Sequence, residues 1–260
     1  MKKIILLLAL ISTQAVAQNN RNNVEQFNSW LVYTGTHKLS NKVELYTEFQ
    51  LRRNDFLNHK AQIAYMATLD AVVNEQAKLS VGYTYVITHP YGKQPLTNYS
   101  FVEHRPFEQF ATKNSIGRLH LQHRYRLEQR FIETKTLSAA NEYVFDKWLY
   151  KNRVRYRLLV NIPINKATMK DANTLFVQAS NELFINFGKN VAKNIFDQNR
   201  AFTGMGYKVS TPLTITFGYL MQQLFKGDGI KVENNHTLLI NVNYNFDFSK
   251  KDNAEVLIVK

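Results

Sequence analysis

The side chains best placed to do chemistry in this chain are arginines. Arg118, Arg124, Arg126 and Arg130 fall on even positions of the stretch 116–131, and Arg153, Arg155 and Arg157 on odd positions of 151–162. Spacing by two puts each set on one face of a β-strand. Guanidiniums in facing rows repel unless something negative lies between them. Carboxylates are one answer. Glu44, Glu48, Glu128 and Glu182, with Arg52, fall on the charged faces of their own stretches, and together they predict a salt-bridge network. Mobile anions are the other answer, since rings of arginine favour anion passage. A second group is Ser100, Glu103 and His104, followed by Arg105 and Glu108. A hydroxyl, an imidazole and a carboxylate this close are the parts of an acyl hydrolase. No G-x-S-x-G turn accompanies them, and a structural place at a strand rim explains them equally. No metal or cofactor is expected. His120 and His123 lie on opposite faces, no H-E-x-x-H motif occurs, and there is no Cys.

The elements that carry these residues are long alternating strands. In the stretch 116–131, Leu119, Leu121, His123, Tyr125, Leu127 and Phe131 oppose the charged face. The pattern recurs along 42–52, 60–72, 78–88, 151–162, 175–187, 201–209, 213–221 and 236–248, with weaker strands at 30–39 and 103–111. These predict an all-β, antiparallel transmembrane barrel of about 10–12 strands, apolar outside and polar within. Outward tyrosines such as Tyr65, Tyr83, Tyr125 and Tyr219 suit interfacial girdles. Gly204 and Gly206 point inward and leave room for neighbouring side chains.

The chain begins with a basic pair, Lys2 and Lys3, an apolar run from Ile4 to Ile11, and Ala15-Val16-Ala17. That order predicts a signal peptide over 1–17 and a mature start at Gln18. Residues 18–28 read as a flexible leader, 29–248 as the barrel, and 249–260 as a tail or a last short strand. Net charge is +13. Export argues against nucleic acid as the basic chain's partner. Lipid phosphates, lipopolysaccharide or small anionic solutes fit better, together with the machinery that inserts barrels. Connectors alternate between short and long, except that 163–173 is long where a short turn belongs. Their lengths also start the first strand at the long-loop end, against the even count of bacterial barrels. A strand at 24–29 or 255–259 would restore the parity, and so would long connectors on the periplasmic side.

Several segments in order carry a resemblance: Glu48-Phe49-Gln50-Leu51-Arg52, Pro90-Tyr91-Gly92, Glu103-His104-Arg105, Arg124-Tyr125-Arg126-Leu127-Glu128-Gln129-Arg130 and Gln198-Asn199-Arg200. The chain resembles the family catalogued as domain of unknown function 2490. That resemblance implies a barrel-like protein of the Gram-negative outer membrane and transfers no catalytic residue. Three functions follow as expectations. They are a membrane barrel of uncharacterised role with an arginine-rich, salt-bridged lumen, which as a channel would be narrow and anion-biased, an outer-leaflet lipid hydrolase, and a structural or adhesive barrel.

Overall fold

The computed structural model describes residues 21–191 and 193–249. The predicted signal segment and the predicted strand at 255–259 lie outside the described residues. Eleven strands follow one another: β1 (Asn22–Lys38), β2 (Val43–Asn54), β3 (His59–Asn74), β4 (Ala77–Thr88), β5 (Phe101–Ile116), β6 (Leu119–Leu137), β7 (Tyr143–Pro163), β8 (Thr174–Phe187), β9 (Phe196–Lys208), β10 (Leu213–Phe225) and β11 (Lys231–Asp247). Each pairs antiparallel with its sequence neighbours, and β1 closes onto β11 to make a barrel. Every strand therefore has two partners, and no edge is left open.

The two faces separate as alternation requires. Leu69, facing out, is 50% exposed, whereas Glu128, facing in, is 1% exposed. Leu31, Tyr65, Val81, Tyr125 and Phe217 join the outer face. Inside, Trp30, Val32, Phe202 and Leu220 form one small apolar cluster, and Phe107, Phe176 and Phe184 are buried apart from it. Around it the buried positions are mostly Asn, Gln, Thr, Arg and Glu. Polar atoms fill the centre and apolar atoms the outside, the reverse of a globular protein in water.

The strand count is odd, so the first and last strands run parallel. Residues 22–38 of β1 pair in unbroken register with 231–247 of β11. The segment 24–29 is the first half of β1 and not an extra strand. β1 also begins inside the stretch expected to be a flexible leader. Its inward side chains give the reason. Asn28 Nδ2 donates to Asn235 Oδ1 at 3.0 Å, and Asn54 Nδ2 donates to Asn28 Oδ1 and Gln26 Oε1 at 2.8 and 2.9 Å. Farther along, Asn243 Nδ2 donates to Thr34 Oγ1 at 3.0 Å. An Asn-rich stretch reads as a tail in water but pairs well where the barrel interior is polar.

The connectors sort by end. Residues 55–58, 89–100, 138–142, 188–191 with 193–195, and 226–230 lie at the end where β1 begins. Residues 39–42, 75–76, 117–118, 209–212 and the long 164–173 lie at the other. Arg118 holds the long one, since its Nη2 donates to the carbonyls of Pro163, Ile164 and Lys166 at 2.6, 3.0 and 3.0 Å.

The parallel seam is directly testable because the chain has no cysteine. Leu31 and Ile240 are register partners on the outer face. The pair Leu31→Cys with Ile240→Cys should oxidise to a disulfide, seen as a gel shift reversed by reductant, because adjacent strands fit its Cα separation. Leu31→Cys with Tyr244→Cys, four residues out of register, should not.

Candidate functional site: the arginine layer of the lumen

Inward positions of β2 and β5–β9 meet in one charged layer. Glu128 on β6 is its centre: Oε2 accepts from Arg153 Nη2 at 2.6 Å and Oε1 from Arg155 Nη1 at 2.5 Å. Glu182 on β8 accepts from Arg124 at 2.6 Å and from Arg155 at 2.8 Å. Glu103 on β5 takes Arg105 and Arg130, both at 2.5 Å. Asp197 on β9 takes Arg153 at 2.6 Å. Each carboxylate thus bridges guanidiniums from adjacent or same-face positions, which removes the repulsion that bare ladders would carry.

Aromatic rings take up part of the remaining charge. Arg52 lies over the Trp30 ring at 4.0 Å, and Arg126 over Phe107 at 3.9 Å. Arg200 lies 5.1 Å from Trp30 and 4.7 Å from Phe184, and Arg155 also stacks on Phe184 at 4.4 Å. A flat, weakly hydrated guanidinium suits such faces. Glycines make room for the rings. A Cβ on Gly82 would meet Phe107 Cζ at 2.3 Å, and one on Gly206 would meet Phe176 Cζ at 2.0 Å.

The layer still carries net positive charge. Its guanidiniums are Arg52, Arg105, Arg124, Arg126, Arg130, Arg153, Arg155, Arg157 and Arg200, and its carboxylates are Glu48, Glu103, Glu128, Glu182 and Asp197. Among the described residues, no carboxylate lies within ion-pair distance of Arg52, Arg157 or Arg200.

Two cavities flank the layer. One of about 550 Å³ opens toward the short turns and is lined there by Thr36, Thr214, Asn241, Asn243 and Asn245. The other, about 350 Å³, lies beneath the 89–100 connector, which contributes Tyr91, Leu96, Thr97 and Tyr99 to its wall. Arg52, Arg105, Arg153 and Arg200 line both. Burial and the nearby Glu233 push the Tyr91 phenol well above its usual range, so it stays a neutral plug residue. Gly92 beside it has φ +73°, and a Cβ there would strike Gln26, so this turn needs glycine.

The sequence profile of the family of proteins of unknown function DUF2490 matches residues 27–233, from within β1 to the start of β11. The chain belongs to this family. No curated protein and no solved structure matches it.

In this DUF2490 barrel the residues singled out from sequence have definite places. Arg124, Arg126, Glu128, Arg130, Arg153, Arg155, Arg157 and Glu182 meet in the layer, with Arg52 and Glu48 at its side. Arg118 stands apart, on the 164–173 connector. Glu44 pairs with Lys78 instead of an arginine, and Glu48 accepts from Tyr46 Oη at 2.6 Å and from Gln50. Ser100, Glu103 and His104 do not converge. Glu103 faces in on its two arginines, and His104 bonds the Tyr83 hydroxyl on the outer face. Ser100 Oγ lies 2.9 Å from Nδ1 of His89. Burial and Lys60 hold that His89 imidazole below its ordinary range. No group of three or more His, Asp or Glu among the described residues is arranged to hold a metal ion.

Sequence reasoning did not assign Arg105, Arg200 or Asp197 to the lumen network. The first two share the inward parity of Glu103 and Gln198, so alternation could have found them. Asp197 has no periodic signal, because the register shift where Phe196 and Gln198 pair with β8 turns it into the lumen.

Glu182→Gln should lower the stability of the folded DUF2490 barrel by about 3–5 kcal/mol, because it strands two buried arginines. Glu44→Gln, at the partly exposed Lys78 pair, should cost about 1 kcal/mol or less. Gly82→Ala should cost about 1–3 kcal/mol by displacing Phe107 and the arginine stacked on it. Denaturant unfolding of the three variants checks the order.

Proposed function

We propose that this protein is an outer-membrane barrel providing a narrow, anion-biased path through an arginine-rich lumen. The exposed Leu, Val, Tyr and Phe side chains of the outer face suit contact with lipid and lipopolysaccharide. The aromatic run at and just past the end of β11, where the rings of Tyr244, Phe246 and Phe248 contact one another in series, suits recognition by barrel-insertion machinery. The signal-like start fits export to that membrane. The observation that carries the functional reading is the surplus of guanidiniums over carboxylates in the layer. A positive constriction of low dielectric attracts anions and repels cations. Passage must be narrow, since paired arginines and the 89–100 connector fill much of the bore. On this reading the long connectors face outward from the cell and the mature N-terminus lies with them.

The test is reversal potential in a salt gradient across planar bilayers. Small conductance with anion preference is expected. Arg200→Ala and Arg52→Ala should weaken that preference while leaving heat stability nearly unchanged, because neither removes a carboxylate's partner. A cation-preferring pore, or a bilayer that stays silent with folded protein inserted, would reject the path and leave a structural barrel.

A further inference from the structure

The larger cavity ends on two guanidiniums whose bonding is incomplete. Arg157 on β7 is the register partner of both Arg124 on β6 and Glu182 on β8. It makes no hydrogen bond or ion pair with Glu182, whose Oε1 already accepts from Arg124 Nη2 at 2.6 Å and from Arg155 Nε and Nη2 at 3.0 and 2.8 Å, so Glu182 and Glu48 reach it only as longer-range charges. Among the described residues Arg157 makes no ion pair, and Nε of Arg157 and of Arg124 are both buried without an acceptor. The neighbouring wall includes Ser180 and Gln122, both able to donate a hydrogen bond. A guanidinium out of bulk water and unpaired is costly. The neutral Asn and Thr side chains of the approach offer it no counter-charge.

An anion from solution would supply the direct contact that Arg157 lacks among the described residues. Two guanidinium edges and flanking donors favour an anion with several oxygens, because planar N–H forks match carboxylate and phosphate oxygens. The cavity of about 550 Å³ has room for a small one. We propose that Arg157 and Arg124 form a binding site for a small oxyanion of the phosphate or carboxylate class, entered from the short-turn end of the barrel. The site rests on the reading that anions enter this lumen, yet it does not require that they pass through. The 89–100 connector caps the far chamber, so the site is a pocket at the foot of the layer.

The experiment is titration calorimetry on the full mature barrel, folded in detergent, with inorganic phosphate, sulfate and acetate separately. Saturable binding of phosphate or acetate is expected, and the preferred probe identifies the class. Arg157→Gln should weaken it at least tenfold. Heat-dependent gel mobility shows whether that variant is folded. Gln122→Glu is the second variant: it places a carboxylate beside both arginines, so it should abolish binding and raise the unfolding temperature. Absence of saturable binding by all three probes, or unchanged affinity in both variants, overturns the site. Bilayer conductance separates the two readings. Binding without conductance keeps the site and rejects the path. Conductance with no saturable binding keeps the path and rejects the site.

Discussion

A guanidinium inside a closed barrel is costly without a carboxylate, a π face or an anion against it, and nine of them line this one. Much of the interior follows from that constraint. Glu128, Glu182, Glu103 and Asp197 each bridge arginines. Trp30, Phe107 and Phe184 supply ring faces where carboxylates do not reach. Phe107 in turn needs Gly82 opposite it in the register, so a charge requirement on β6 selects a glycine on β4. Replacing such a network by apolar side chains is often neutral for stability. Breaking it by removing one partner is costly instead, because a buried charge is left unpaired.

The closure of the barrel follows a different logic. Ten antiparallel neighbour pairs form through local connectors, several of two to five residues. The eleventh pair joins the chain's two ends and must be parallel because the count is odd. Residues more than 200 apart in sequence meet there, so closure is the slowest contact to find by diffusion of the chain. Polar ladders of Asn and Thr across the seam add side-chain bonds that β1 and β11 make only in one register.

Much of the fold was legible in the sequence because alternation survives wherever one face is apolar. Leu121 against Gln122, and Leu158 against Arg157, are separated by parity alone. Legibility fails where the polar interior resembles solvent. The Asn-rich start looked like a leader, yet Gln26 and Asn28 are buried members of β1. The parallel seam had no local signal, since strand direction at closure depends on the total count. Within the layer, parity identified most of the arginines and two of their partners, Glu128 and Glu182, but not the rest. Glu44 lies too near the short-turn end and meets Lys78, while Asp197 enters through a register shift. The Ser100, Glu103 and His104 grouping failed for a simple reason: neighbouring residues on one strand point to opposite faces. The serine found His89 only through the fold of the 89–100 connector.

The central claim is that the arginines are held by specific carboxylates rather than by a diffuse field. A double-mutant cycle on Glu128 and Arg153, joined at 2.6 Å at the layer's centre, tests it most directly. Unfolding free energies would be measured for Glu128→Gln, Arg153→Met and the pair. The account predicts a coupling of about 2 kcal/mol or more, with the double variant more stable than the sum of the single losses implies. Additivity within about 0.5 kcal/mol would contradict it.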